Sequence, residues 1–150
     1  MWGSNPSIAM KPDSLNRKLL LYAFYAAPGA AVVGLCLVRT IKHFDGLDLA
    51  FTILFGAALI SDLIWTRREV RPLATNENAK DHATQFLWSC LFFSMISFMF
   101  GMALSGYVWF HTDFIRTFGV IFWSVITAIA IYPVCRDARR LADAARARPS

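Results

Sequence analysis

The sequence predicts an all-α integral membrane protein, a bundle of four transmembrane helices, on three observations. Hydrophobic residues make up 57% of the 150, charged residues only 17%, and the mean hydropathy is +0.47, too apolar for a water-soluble domain of this size. The apolar residues gather into four blocks, Leu19 to Val38, Leu49 to Trp65, Phe86 to Phe110 and Phe118 to Cys135. Basic residues collect at alternate block ends. About 20 helical residues at a rise of about 1.5 Å cross a hydrocarbon core of roughly 30 Å, so each block is long enough or nearly so. The lipid bilayer is therefore the first partner the sequence implies. Residues 1–150 form one transmembrane domain, whose short connections leave no room among them for a catalytic or nucleic-acid-binding domain.

Arg17 and Lys18 before the first block imitate a secretory signal, but the apolar run continues to Val38 without a polar cleavage region, which predicts an uncleaved helix. Ala26, Ala30 and Gly34 lie at helical spacing within it. Pro28 removes one backbone hydrogen bond and predicts a kink that frees the carbonyl of Phe24. The second block borrows Gly46 to Asp48 to complete its span and offers Gly56 as a small contact. It also holds Asp62, the one charged residue well inside a block. A carboxylate at the bilayer centre costs about 2.5 to 3.5 kcal/mol, so Asp62 requires a role. Its place just before Trp65 and Arg67 leaves two: an ion pair with Arg67, Arg68 or a neighbouring helix, or a transport relay.

Residues 66–85 read as a polar inner loop, with Asp81 capping the third helix ahead of His82. In the third block Cys90, Ser94, Ser97, Gly101 and Ser105 fall on one helical stripe. Lipid does not drive helices together by the hydrophobic effect, so close backbone approach across small residues has to supply association. The first and third helices are accordingly expected to face inward. The fourth block runs into an Ala- and Arg-rich tail, expected to lie as a helix along an anionic leaflet. Trp65, Trp88, Trp109 and Tyr132 near block ends suit the interfacial belts.

Orientation follows from basic residues. Lys11, Arg17, Lys18, Arg67, Arg68, Arg71, Lys80, Arg136, Arg139, Arg140, Arg146 and Arg148 share one face, against Arg39, Lys42 and Arg116 on the other. The positive-inside rule places the first set, and with it both termini, in the cytoplasm of a multi-pass protein of the bacterial inner (plasma) membrane.

A weaker pattern relates the halves. His43-Phe44-Asp45 follows the first block and His111-Thr112-Asp113 the third, as in two parallel-repeat hairpins. Together His43, Asp45, His111 and Asp113 are a candidate outer-face site for a divalent metal.

Cys36, Cys90 and Cys135 have no CxxC spacing and read as small buried hydrophobes. No pair of catalytic groups and no cofactor motif is present, so neither enzymatic activity nor a cofactor is expected. The paired intramembrane aspartates of lipoprotein signal peptidases are missing, as is the first-helix Glu of small multidrug transporters. What remains is helix-helix interaction, as an accessory or assembly subunit of a membrane protein complex or as an inhibitor of another membrane protein. In gross form the chain is similar to immunity proteins against pore-forming bacteriocins, a likeness of shape alone. The expected partner is another membrane protein or further copies of this chain, and no nucleic acid. The alternative is a small oligomeric channel or proton/cation-coupled transporter using Asp62.

Overall fold

The computed structural model describes residues 12–105 and 113–147. These form α1 (Pro12–Lys42), α2 (Gly46–Val70), a single 3-10 turn (Arg71–Leu73), α3 (Glu77–Leu104) and α4 (Asp113–Arg146), with no strand among the described residues. All four helices are long and apolar enough to cross a membrane, and the chain is a multi-pass membrane protein of four helices. Trp109 and His111 lie outside the described residues.

Local chemistry sets the helix starts. Asp45 stands in extended backbone before α2 and its carboxylate accepts a hydrogen bond from the amide of Leu47 at 3.1 Å, the usual N-cap arrangement. Asp48 in the first turn adds negative charge where the helix dipole is positive. α3 begins at Glu77, behind Asn76 in extended backbone. Asp81 is thus inside α3, not its cap, and residues 66–85 are not a loop. α2 continues through Arg67 and Arg68, the turn at Pro72 reverses the chain, and only residues 74–76 before α3 lack helix. Hydropathy registers only the lipid-soluble part of a helix, whereas Arg, Glu and Lys extend it readily into water.

The tail departs furthest from expectation. α4 has 34 residues, about 51 Å, and its Arg-rich end packs into the protein instead of lying along a leaflet. Ala138, Leu141 and Ala142 are fully buried in one cluster with Leu19, Ala23, Val70, Ala83 and Phe86. α1 passes unbroken through Pro28, and α4 likewise contains Pro133.

α1 and α3 are the central pair. α2 packs on α1, α4 packs on α3 and reaches α1, and α2 scarcely touches α3. The α1–α3 crossing is as close as backbones allow. A Cβ on Gly101 would overlap the carbonyl of Ala31, with its carbon 2.6 Å away, and one on Gly34 would overlap the carbonyl oxygen of Phe98. Hydroxyls within the helices bond back to carbonyls four residues earlier, as Ser97 does to Phe93 at 2.9 Å and Thr127 to Trp123 at 2.7 Å, which makes them tolerable in lipid.

Two kinds of cohesion divide the molecule. Through the apolar middle, small residues let backbones touch. At the Arg-rich end large apolar side chains fill the space between the helices: Leu19, Phe86, Val134 and Leu141 are each under 2% exposed.

Candidate functional site

Asp62 sits on the side of α2 that turns toward α1, in line with the buried residues Asp48, Thr66 and Val70 at helical spacing. The two helices leave a groove of about 380 Å³ there, lined by Leu21, Tyr22 and Tyr25 from α1 and by Asp62, Trp65 and Thr66 from α2. Tyr25 is 75% exposed and Trp65 57% exposed, whereas Tyr22 and Asp62 are half-buried, so the acid is more sheltered than the two outer rings that line the groove with it. The Thr66 hydroxyl donates to the backbone carbonyl of Asp62 at 2.8 Å and is spent. Among the described residues the Asp62 carboxylate accepts no hydrogen bond and pairs with no cation. The ion pair with Arg67 or Arg68 that the spacing suggested does not form. Both arginines lie beyond Trp65 and are exposed.

A more deeply buried carboxylate was hidden in what reads as a tail. Asp137 of α4 is 3% exposed, accepts a hydrogen bond from the Ser89 hydroxyl of α3, and is held by the Arg136 Nε at 3.0 Å. Its needs are met within the chain, which makes it a clasp between α3 and α4. The signal was available: Val134, Ala138 and Leu141 recur at helical spacing through the arginines. One turn further out, a cleft of about 430 Å³ opens between the start of α3 and the end of α4, with His82, Arg140 and Asp143 on its walls. The Nδ1 atom of His82 is buried without a partner among the described residues. The Asn76 side chain closes one edge by donating to the carbonyl of Ala147 at 3.2 Å.

At the opposite end Arg39 of α1 reaches Asp48 of α2 at 3.3 Å, tying the hairpin across its short connection. Asp45 is occupied as the α2 cap, and His43 is exposed beside it. Asp113 opens α4, while His111 lies outside the described residues, so the four-residue metal candidate is not assembled by what is described. Among the described residues no three His, Cys, Asp or Glu side chains gather as a metal site.

Of the small residues, Ala26, Ala30, Gly34, Ser94, Ser97 and Gly101 are buried, and Ser105 is half-buried with its hydroxyl on the carbonyl of Met102. Gly56 differs: nothing stands within 4 Å of where its Cβ would be, so it makes no close approach within the chain. The three cysteines are free thiols, Cys36 and Cys90 buried. No protein-family model matches this sequence, and no curated protein or solved structure matches it either.

Proposed function

We propose that the chain works by lateral association in the bacterial inner membrane, its Arg-rich end in the cytoplasm, with α2 docking against a helix of another membrane protein that it helps to assemble or inhibits. The observation that carries this reading is the bareness of α2. Only 6% of its most apolar stretch is buried, against 11% for α4, 33% for α1 and 39% for α3. The exposed side carries Ala57, Ala58 and Ser61 between Leu54, Ile60 and Ile64. Small residues at a spacing of four allow backbones to approach, and large aliphatics beside them supply the flanking contacts. A photo-crosslinking residue at position 57 should give one discrete adduct in native membranes, abolished by Ser61→Leu. A probe at the lipid-facing position 129 should give none. Equal adducts at the two positions, or none at 57, would refute this reading.

A transport reading draws on a separate observation, the unpaired carboxylate of Asp62 inside an apolar span. It requires cation- or proton-coupled flux in proteoliposomes of the parent protein that Asp62→Asn abolishes. Parent protein without flux removes it.

A further inference from the structure

The geometry points to the α1–α2 groove as a binding site for a lipophilic organic cation, an ammonium centre joined to apolar groups and carrying no anion of its own. This rests on the seam between α1 and α2 and is independent of what docks on the outer side of α2. Three features select that class. A carboxylate held in apolar surroundings without a cation favours a ligand that brings one, because a charge desolvated alone is costly and a paired one far less so. Tyr22, Tyr25 and Trp65 present three aromatic rings beside that carboxylate, and ring faces attract ammonium centres most strongly when water is excluded. The groove's volume of about 380 Å³ falls within the range of small-molecule sites, roughly 300 to 1,000 Å³, and its open side is the exposed face of two membrane-crossing helices.

Depth excludes the headgroups of ordinary zwitterionic lipids. Asp62 lies five residues before Arg67, about 7.5 Å further into the span at helical rise. A phosphate dragged to that depth would meet the like-charged carboxylate, and the Thr66 hydroxyl is already committed to a backbone carbonyl. A cation with only apolar substituents carries no such burden. It enters from the bilayer, places its charge over Asp62, and leaves its tail among lipid chains beside Tyr25.

The test uses the full chain in nanodiscs of phosphatidylglycerol, titrated with dodecyltrimethylammonium below its micellar concentration. Its neutral isostere, with carbon in place of nitrogen, serves as the control. The cation should bind saturably at one site per chain, with Asp62→Asn weakening it at least tenfold and Tyr25→Leu about three- to thirtyfold. Tyr25→Phe keeps the ring and should bind like the parent. Tyr25 is largely exposed, so its variants retain the fold even where Asp62→Asn does not. Exchanging half of the lipid for phosphatidylethanolamine halves the surface charge and so the cation's accumulation at the membrane, but the affinity referred to membrane-bound cation should stay unchanged; a further loss, from competition by that lipid, would overturn the choice of ligand. Unsaturable partitioning, equal binding of the isostere, or binding untouched by Asp62→Asn and Tyr25→Leu would overturn the site.

Discussion

Gly101 offers the sharpest test of the packing. Placed on its ideal vector, a methyl group at this position stands 2.6 Å from the carbonyl carbon and 2.8 Å from the Cα of Ala31, with the carbonyl oxygen nearer still. Ordinary carbon contacts begin at about 3.5 Å, so Gly101→Ala forces α1 and α3 apart by roughly 1 Å. Nothing nearby can yield cheaply, because the obstacle is backbone. A gap of that size forfeits about a quarter to a half of each dispersion contact of about 0.1 to 0.2 kcal/mol. Over an assumed few tens of atom pairs at the crossing this amounts to about 2 kcal/mol, within the range for overpacked interiors. The folded-to-unfolded ratio should fall about thirtyfold, read by reversible unfolding of purified protein in bicelles. Gly56→Ala is the control. Its methyl meets open space, and Ala is the better helix former by about 1 kcal/mol, so this variant should be neutral or slightly stabilised. Gly101→Ala within about 0.5 kcal/mol of the parent would refute the reasoning, as would an equal loss at Gly56.

Two further outcomes follow from the Arg-rich end. Leu141→Ala removes a fully buried side chain from this cluster and should cost about 2 to 5 kcal/mol, seen as a lowered unfolding midpoint; a loss below about 1 kcal/mol would mean that the end of α4 is not packed there. Asp137→Ala leaves the Ser89 hydroxyl without its acceptor and should cost about 2 to 3 kcal/mol, whereas Asp137→Asn, which keeps an acceptor, should cost less. Equal losses in the two variants would show that charge, rather than the hydrogen bond, holds the clasp.

How much of this was legible depends on which solvent each residue meets. Four apolar blocks stand out because lipid demands unbroken hydrophobicity, and the stripes through Ala30, Gly34, Ser97 and Gly101 stand out because close approach demands small residues at fixed spacing. At the Arg-rich end those demands lapse. Residues 136–146 are mostly Arg, Ala and Asp, and a composition that suits an exposed tail equally suits a helix burying one narrow face. The burial of Ala138, Leu141 and Ala142 depends on Leu19 and Ala23 of α1 and Ala83 and Phe86 of α3 reaching the same level, which no local pattern encodes. The start of α3 was obscured in the same way, since Asp81 is a plausible cap until the helix is seen to begin at Glu77. Asp62 was conspicuous as a lone acid, but its want of a partner is a fact of tertiary geometry. Only the packing of α2 on α1 brings Asp62 into one groove with Tyr22 and Tyr25.

Lipid exposure alone does not make α2 a binding element, because an aliphatic helix surface is as comfortable among acyl chains as against protein. What sets α2 apart is what it shows beyond aliphatics. It is pinned near both ends, by the Arg39–Asp48 pair at one and by buried Val70 at the other, while the length between them contributes almost nothing to the core. Along that length Ala57, Ala58 and Ser61 bare the backbone on one side, and Asp62 leaves a charge without a counterion on the other. Bulky aliphatics at all four positions would serve a lipid-facing strut at least as well. A helix fixed at its termini and furnished between them with features that lipid does not require is suited to recognition, and its two sides divide that task between a neighbouring helix and a cation.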